Sequence, residues 1–548
     1  MVAVADESFI VAGIDRWDVS QTPELHEPRL ERQLGVTSFY APPATEGSDI
    51  PVTRFPNWVS CPGCDRLDRH GFFASFDRNR CTICDQTLVP SRFVMACANG
   101  HLDEFPYFPW VHSGSPPAGA THSLRIRAAG ASASLRDIQV SCECGKTATM
   151  EGALSKFALR SISKCGGRRP WLPGPNETCK EIPRALQRGA SNVWFPILQS
   201  ALSIPPWSEG VFQVLNRHWS VLRHLDEAAL AGALKGMKLP DSSGYSLDDL
   251  LSAASDRNAR EADPEAGPSM REAEYEALLR GRPELSAKQE FACLASEVPQ
   301  AWTDYLQNVR VITRLREVRV LEGFSRILPT SPADPPERRA PLYAAATGWL
   351  PAIDVIGEGV FIGLPPERLA AWERLPEVVE RAHRINGHYA ARFVINKLKP
   401  DRGITPRLLL VHTLAHLVII QWALDSGYSA ASLKERLYVS PSMAGFMIYT
   451  ATSDSAGSLG GLVAQAATDR LEASLSEALE RARWCSADPL CAESSAQGVD
   501  ALNLAACHAC VLLPEVSCEE MNVLLDRCLV VGSPRTPGLG YFSDPASA

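Results

Sequence analysis

Positive charge is in short supply in this sequence. Its 54 Lys and Arg stand against 63 Asp and Glu, a formal charge of −9 at pH 7. A chain so balanced is not built as a whole to coat nucleic acid, so any DNA contact must come from a local basic patch. A long apolar run is also lacking. The longest, residues 408–424, carries His412, Thr413, His416 and Gln421. It is marginal in length for a membrane span and too polar, so it reads as a buried helix, with no membrane involved. The opening "MVAVADESFIVAGIDRWD" has early acidic residues and no apolar core, which argues against a secretory signal. A phosphate loop is missing too. "CGKT" (144–147) ends like one, but its required first glycine would fall at Val140, so an NTP-driven motor is excluded for this chain alone.

Cysteine, by contrast, is plentiful. Fourteen of the sixteen lie in two blocks, 61–179 and 485–518, with Cys293 and Cys528 set apart. Without an export signal the expected setting is the reducing cytoplasm, where paired cysteines mean zinc rather than disulfides. The length predicts two to four domains, and the 45% apolar and 21% charged content suits a globular protein.

The expected fold is a mixed α+β multidomain chain. Residues 1–191 read as zinc-ribbon-like modules, in which "LRIRAAGASASLRDIQVSCECGKTATM" suggests strands around a cysteine turn. Residues 192–340 read as mainly helical, with a mobile acidic segment near 240–283. Residues 341–548 read as a C-terminal α/β zinc-binding domain. There "LPAIDVIGEGVFIGL" suggests two strands about Gly357–Glu358–Gly359, followed by helices at "EVVERAHRINGHY" and "RLLLVHTLAHLVIIQWAL".

Three cysteine sets predict about three zinc sites. Cys61, Cys64, Cys81 and Cys84 form two C-x2-C pairs separated by sixteen residues. Two such knuckles supply four thiolates, and a short hairpin between them closes the tetrahedron. Cys142, Cys144, Cys165 and Cys179 offer a second four-thiolate site, or else serve in part as small buried hydrophobes. Cys97 and His101 in "ACANGHLDEFP" read as structural, with a mixed site involving part of this set as the alternative. In the third set Cys485, Cys491, Cys507, Cys510 and Cys518 compete for four positions, so one is spare.

Other motifs carry two readings each. "HTLAH" puts His412 and His416 on one helical face at the spacing of a zinc-protease helix, but the glutamate that would act as base is replaced by Thr413. Buried neutral histidines bonded to nearby groups are the preferred reading. "MIYTATSDSAGSLGGLV" leads from a strand through glycines into a helix. That turn suits either a phosphate at the helix N-terminus or close helix–strand packing. Within the acidic whole, Arg160–Arg188 is a basic patch. Lys164, Arg168, Arg169, Arg184 and Arg188, next to Trp171, either grip a phosphate backbone or form a solvated face.

"RFVMACANGHLDEFPYFPWVH", "HTLAHLVI", "SDSAGSLGGL" and "LNLAACHACVLLPEVSCE" together resemble the DrmB family, subunits of the DISARM anti-phage system. The C-terminal part, 402–532, is similar to an uncharacterised zinc-binding domain also fused to superfamily 2 DNA helicases. There the pattern is one upstream cysteine, then C-x2-C, then a further cysteine. That carries over to Cys507, Cys510 and Cys518, with Cys485 or Cys491 as the fourth. The resemblance implies a non-catalytic, zinc-stabilised accessory subunit. Its partner is a helicase-like, DrmA-like subunit that supplies the ATPase, and the complex binds DNA. The alternative is a metal-dependent hydrolase or nuclease using His412, His416 and Asp454.

Overall fold

A computed structural model of the chain describes residues 1–44, 49–73, 78–116, 122–128, 130, 132, 134–262, 269–283, 289–329, 335–395, 400, 402–450, 460–498 and 501–543. Compactness divides the chain into two units. One comprises Met1–Leu25, Leu34–Gln199 and Val320–Ile353. The other comprises His26–Gln33, Ser200–Arg319 and Asp354–Ala548.

The first unit is built from short strands. An antiparallel sheet runs in the order Thr147–Thr149, Ile138–Cys142, Leu124–Ala128, Arg66–Arg69, Trp58–Ser60, Val89–Pro90. A second joins Leu102–Glu104, Phe93–Ala96 and Arg184–Gln187. Between them lies a core of Trp58, Leu67, Phe93, Phe105, Tyr107 and Leu124. Strands of two to five residues bury little apolar surface each, so sheets of this kind need extra staples to hold a register. These strands and their loops carry nine of the cysteines.

The second unit contains the helices expected of the middle region. Gly210–Asn216, Trp219–Leu222, Glu227–Gly236 and Leu247–Ala262 pack Phe212, Leu215, Trp219, Leu230, Leu234 and Leu250 together. The acidic stretch read as mobile is largely helical, at Leu239–Ser243, Leu247–Ala262 and Met270–Arg280. Its acids serve the helices: Asp248 and Asp249 sit in a first turn, where they complement the helix dipole. Ser269 and Glu272 form a capping box. Residues 263–268 lie outside the described residues. Helix does not fill the whole of 192–340. Phe291–Ser296 and Asn308–Ser325 are strands, as the β-branched residues of "VRVITRLREVRV" favour.

Leu433–Ser440 and Met443–Thr450 form a hairpin in this unit, and Trp349–Gly363 pairs with the second strand over Gly359–Gly363. Trp349–Gly363 is one strand, not two about a turn. Gly357 and Gly359 are needed for close approach, since a Cβ would lie 2.5 Å from the Thr450 carbonyl and 3.0 Å from that of Ile448, respectively. Alternation along Leu433–Ser440 sends neighbouring charges to opposite faces. Arg436 and Tyr438 face the helix Met270–Arg280, whereas Glu435 faces the helix Pro406–Ser426. That second helix is long and apolar enough to cross a membrane, but 78% of its apolar window is buried within the fold.

Arg436 and Glu274, both fully buried, form a bidentate pair at 2.7 and 2.6 Å. Burial opposes the Glu274 carboxylate, but Arg436 and Arg271 hold its pKa below the usual range. A depressed carboxylate contributes stability above its unfolded value near 4.3, and loses it only as pH falls through the folded value. Glu274→Gln removes the bidentate counter-charge and leaves the guanidinium only the longer contact to Glu317 at 3.9 Å. We expect it to destabilise the second unit at neutral pH by about 3–5 kcal/mol, read as a lower denaturant midpoint at pH 7. An unchanged midpoint would contradict the pairing.

Candidate metal centres

The two N-terminal knuckles close on each other. Cys61 Sγ lies 3.1 Å from Cys84 Sγ, and Cys64 Sγ 3.9 Å from Cys81 Sγ. Each C-x2-C is followed by an aspartate in the left-handed region, Asp65 at φ 58° and Asp85 at φ 52°. These turns bring the Cys61 amide to Arg66 O and the Cys81 amide to Gln86 O. At Zn–S distances of 2.3 Å, tetrahedral thiolates sit about 3.8 Å apart, so the spacing of the four sulfurs suits one ion.

The second predicted set divides between two centres. Cys165 and Cys179 join Cys97 and His101, while Cys142 and Cys144 join His112 and His122. In the first of these, Cys97 follows the strand Phe93–Ala96, and the turn through Gly100 (φ 75°) returns His101 to it. His101 Nδ1 lies 3.3 Å from Cys97 Sγ and 3.6 Å from Cys165 Sγ. Its Nε2 donates to Glu177 at 3.0 Å, which fixes the tautomer with Nδ1 free to ligate. Gly167 (φ 64°) clamps the loop, since a Cβ there would lie 1.7 Å from the Glu177 carbonyl. Cys97 and His101 thus stand among candidate ligands rather than as core residues.

The other centre lies where the helix Tyr107–His112 ends beside the "CECGK" turn. His112 Nε2 is 3.2 Å from Cys144 Sγ, and His122 Nδ1 is 3.3 Å from Cys142 Sγ. Gly145 (φ 89°) makes the turn, so "CGKT" serves a knuckle and not a phosphate. Contact of His112 Nδ1 with the Phe108 carbonyl at 2.8 Å orients its ring.

In the C-terminal region the cysteine left over is Cys518. Cys485, Cys491, Cys507 and Cys510 converge, with sulfur separations of 3.5 Å (485–507), 3.8 Å (491–510) and 3.7 Å (507–510). Cys518 is buried instead against His412, at 3.2 Å. None of the sixteen cysteines forms a disulfide. One thiol in each of the four sets is biased toward thiolate. Cys97 and then His101 draw Cys165 down to about 4. The Cys510 thiol draws Cys491 to about 5, and the Lys146 amide and His112 draw Cys144 to about 6. Burial opposes ionisation of Cys81, but the amides of Ile83 and Cys84 bring it to about 7. Thiolate and imidazole donors in closed sets of four suit zinc.

The other motifs resolve differently. His412 and His416 are completely buried in the helix Pro406–Ser426, and Asp454 lies outside the described residues. The glycine turn at 460–462 already holds an anion of its own. The buried Glu358 carboxylate accepts the amides of Gly460 at 3.1 Å and Leu462 at 2.8 Å, where a phosphate would otherwise bind. In the basic patch, Trp171 is a core residue whose indole donates to Pro341 O, with Arg326 5.0 Å from its ring. It therefore cannot stack on a base. Arg169 is paired to Glu177, and Arg168 to Asp103 at 3.0 Å. Lys164 is exposed, and Arg184 and Arg188 are half-buried.

Sequence reasoning missed His112 and His122, which stand ten residues apart across a loop. It also set aside the C-x3-H of Cys97 and His101. Both pairs are visible as ligand types, but only the sheet brings them to their cysteines. For Glu435, a single acid within a strand, the sequence offers no signal.

Residues 1–195 match a domain of unknown function, DUF8724, and residues 414–511 match the MrfA Zn-binding domain. The "DISARM protein DrmB" of Bacillus paralicheniformis is 32% identical over 553 residues, covering 96% of this chain and 97% of that protein. At that identity over nearly the full length of both, the chain belongs to the DrmB family.

Proposed function

We propose that this protein is a non-catalytic, zinc-stabilised accessory subunit of a DISARM anti-phage system. It binds a helicase-like, DrmA-like partner and supports DNA binding by the complex, while the ATPase resides in the partner. The observation that carries this reading is the commitment of the cysteine and histidine motifs to closed four-ligand sets. A hydrolytic metal keeps an open position for water, and a redox dithiol needs only one pair, so these sets favour scaffolding over turnover. The "HTLAH" histidines, fully buried, offer little to a hydrolase. Four zinc ions would be held by the four sets described above.

DNA would meet the first unit along Lys164, Arg168, Arg184 and Arg188. Arg168 also lines a cavity of about 350 Å³ with Asn57, Arg69, His70, Phe72 and Glu104, in which Phe72 is 66% exposed. Exposed cation and aromatic edge together suit a sugar-phosphate backbone with an unstacked base. Arg169 belongs to the His101–Glu177 support and is better left out of a DNA test.

Two outcomes follow. Replacing Cys61 and Cys64 together by serine removes one zinc per chain and leaves residues near 57–90 sensitive to protease. Structural zinc contributes about 10–16 kcal/mol of apparent binding energy in finger peptides. Unchanged zinc content would contradict the assignment. The purified chain alone neither hydrolyses ATP nor unwinds DNA, but raises the DNA affinity of its partner. In the complex, Lys164→Glu with Arg168→Glu lowers the salt dependence of DNA binding by about 2 in log–log slope while assembly persists. Robust ATPase activity from the chain alone, or an unchanged slope, would contradict the reading.

A further inference from the structure

We propose that His412, His416, Glu435 and Cys518 form a further, fully enclosed metal site that holds one divalent transition ion, zinc by its donor set, in the second unit. The proposal goes beyond the accessory-subunit reading and is independent of it. Two of the four residues, His412 and Cys518, lie outside the residues that match the Zn-binding domain.

The four ligand atoms lie within 4.8 Å of one another. His412 Nε2 is 3.1 Å from Glu435 Oε1 and 3.2 Å from Cys518 Sγ. His416 Nε2 is 3.6 Å from Glu435 Oε2. Edges of about 3.3–3.8 Å are what ligands at 2.0–2.3 Å from a tetrahedral zinc would span. Both rings are oriented from behind. The Nδ1 of His412 meets the Leu524 carbonyl at 3.3 Å, and that of His416 meets the Val511 carbonyl at 3.0 Å. With Nδ1 carrying the proton, each Nε2 aims a lone pair inward, as metal-bound histidines do. Cys518 Sγ meanwhile accepts the amides of Glu520 at 3.3 Å and Asn522 at 3.2 Å, an arrangement that stabilises a thiolate.

A metal-free account fits the geometry poorly. One extra proton on His412 would let it donate to both Leu524 O and Glu435. His416 Nε2 and Glu435 Oε2, 3.6 Å apart, would still be buried with no hydrogen-bond partner, because even a proton on one of them would face too long a gap. Buried polar atoms of that kind are rare and costly. A single cation at the centre satisfies all four. The histidines come from the helix Pro406–Ser426, Glu435 from the adjoining strand and Cys518 from the C-terminal segment, so the ion ties three separate elements. Its ligands are 0 to 7% exposed, which makes it a closed structural site with slow exchange.

The test compares metal content of the full-length chain with that of Glu435→Gln and Cys518→Ser, purified by gel filtration without chelator. Each variant should carry one metal equivalent fewer than the wild type, whatever number the four other sets hold. Should the variants fail to fold, zinc-edge anomalous diffraction from wild-type crystals decides the matter. A peak between His412 Nε2, His416 Nε2, Glu435 and Cys518 is expected. Folded variants with the wild-type metal content, or no anomalous peak there while the four-cysteine sets show theirs, would overturn the proposal.

Discussion

Lone pairs that face one another inside a protein repel, and a cation among them turns the repulsion into attachment. That constraint runs through both units. At each candidate centre thiolate, imidazole or carboxylate donors from separate segments are aimed at one point, with backbone amides and carbonyls arranged behind them. Side chains gathered in this way without a central positive charge would raise the energy of the fold. With one, they fix the loops that present them.

The need for such fixing follows from the elements themselves. The first unit is a set of two- to five-residue strands joined by long connections. Hairpins of that length are marginal on their own, and a bound metal would fix the register where a cysteine turn closes one, as between Trp58–Ser60 and Arg66–Arg69. Support continues outward: Glu177 orients His101, Arg169 holds Glu177, and Gly167 lets the loop close on both. In the second unit longer strands and helices carry more of the burial. Polar pairs such as Arg436–Glu274 and Arg381–Asp526, the latter at 2.6 and 2.8 Å, pin neighbouring elements inside it.

The sequence was legible where the signal is local. Cys61, Cys64, Cys81 and Cys84 converge as their spacing suggests, because a C-x2-C knuckle is made by four consecutive residues. The helix around His412 was visible as an apolar stretch, and its burial followed from that apolarity. What could not be read depends on tertiary pairing. Cys142 and Cys165 are close in the chain, yet they belong to different strands and loops and so to different centres. Cys518 resembles the last ligand of its cysteine run, but the turn after Val511 carries it to the histidine helix. "GEG" suggested a hairpin because glycine favours turns; here it permits strand contact, and the glutamate between caps a distant turn. The strand Asn308–Ser325 was hidden by its many charges, and its β-branched residues were the better guide.

For a subunit of this kind, metal would serve shape, and shape would serve the partner and DNA. The most direct measurement is amide hydrogen exchange of the full-length chain before and after metal removal at neutral pH. The account predicts loss of protection around residues 57–104, 138–149, 165–187, 406–440 and 502–531, with the helices Gly210–Asn216 and Leu247–Ala262 still protected. Retained protection in the metal-binding segments after complete metal removal would contradict it.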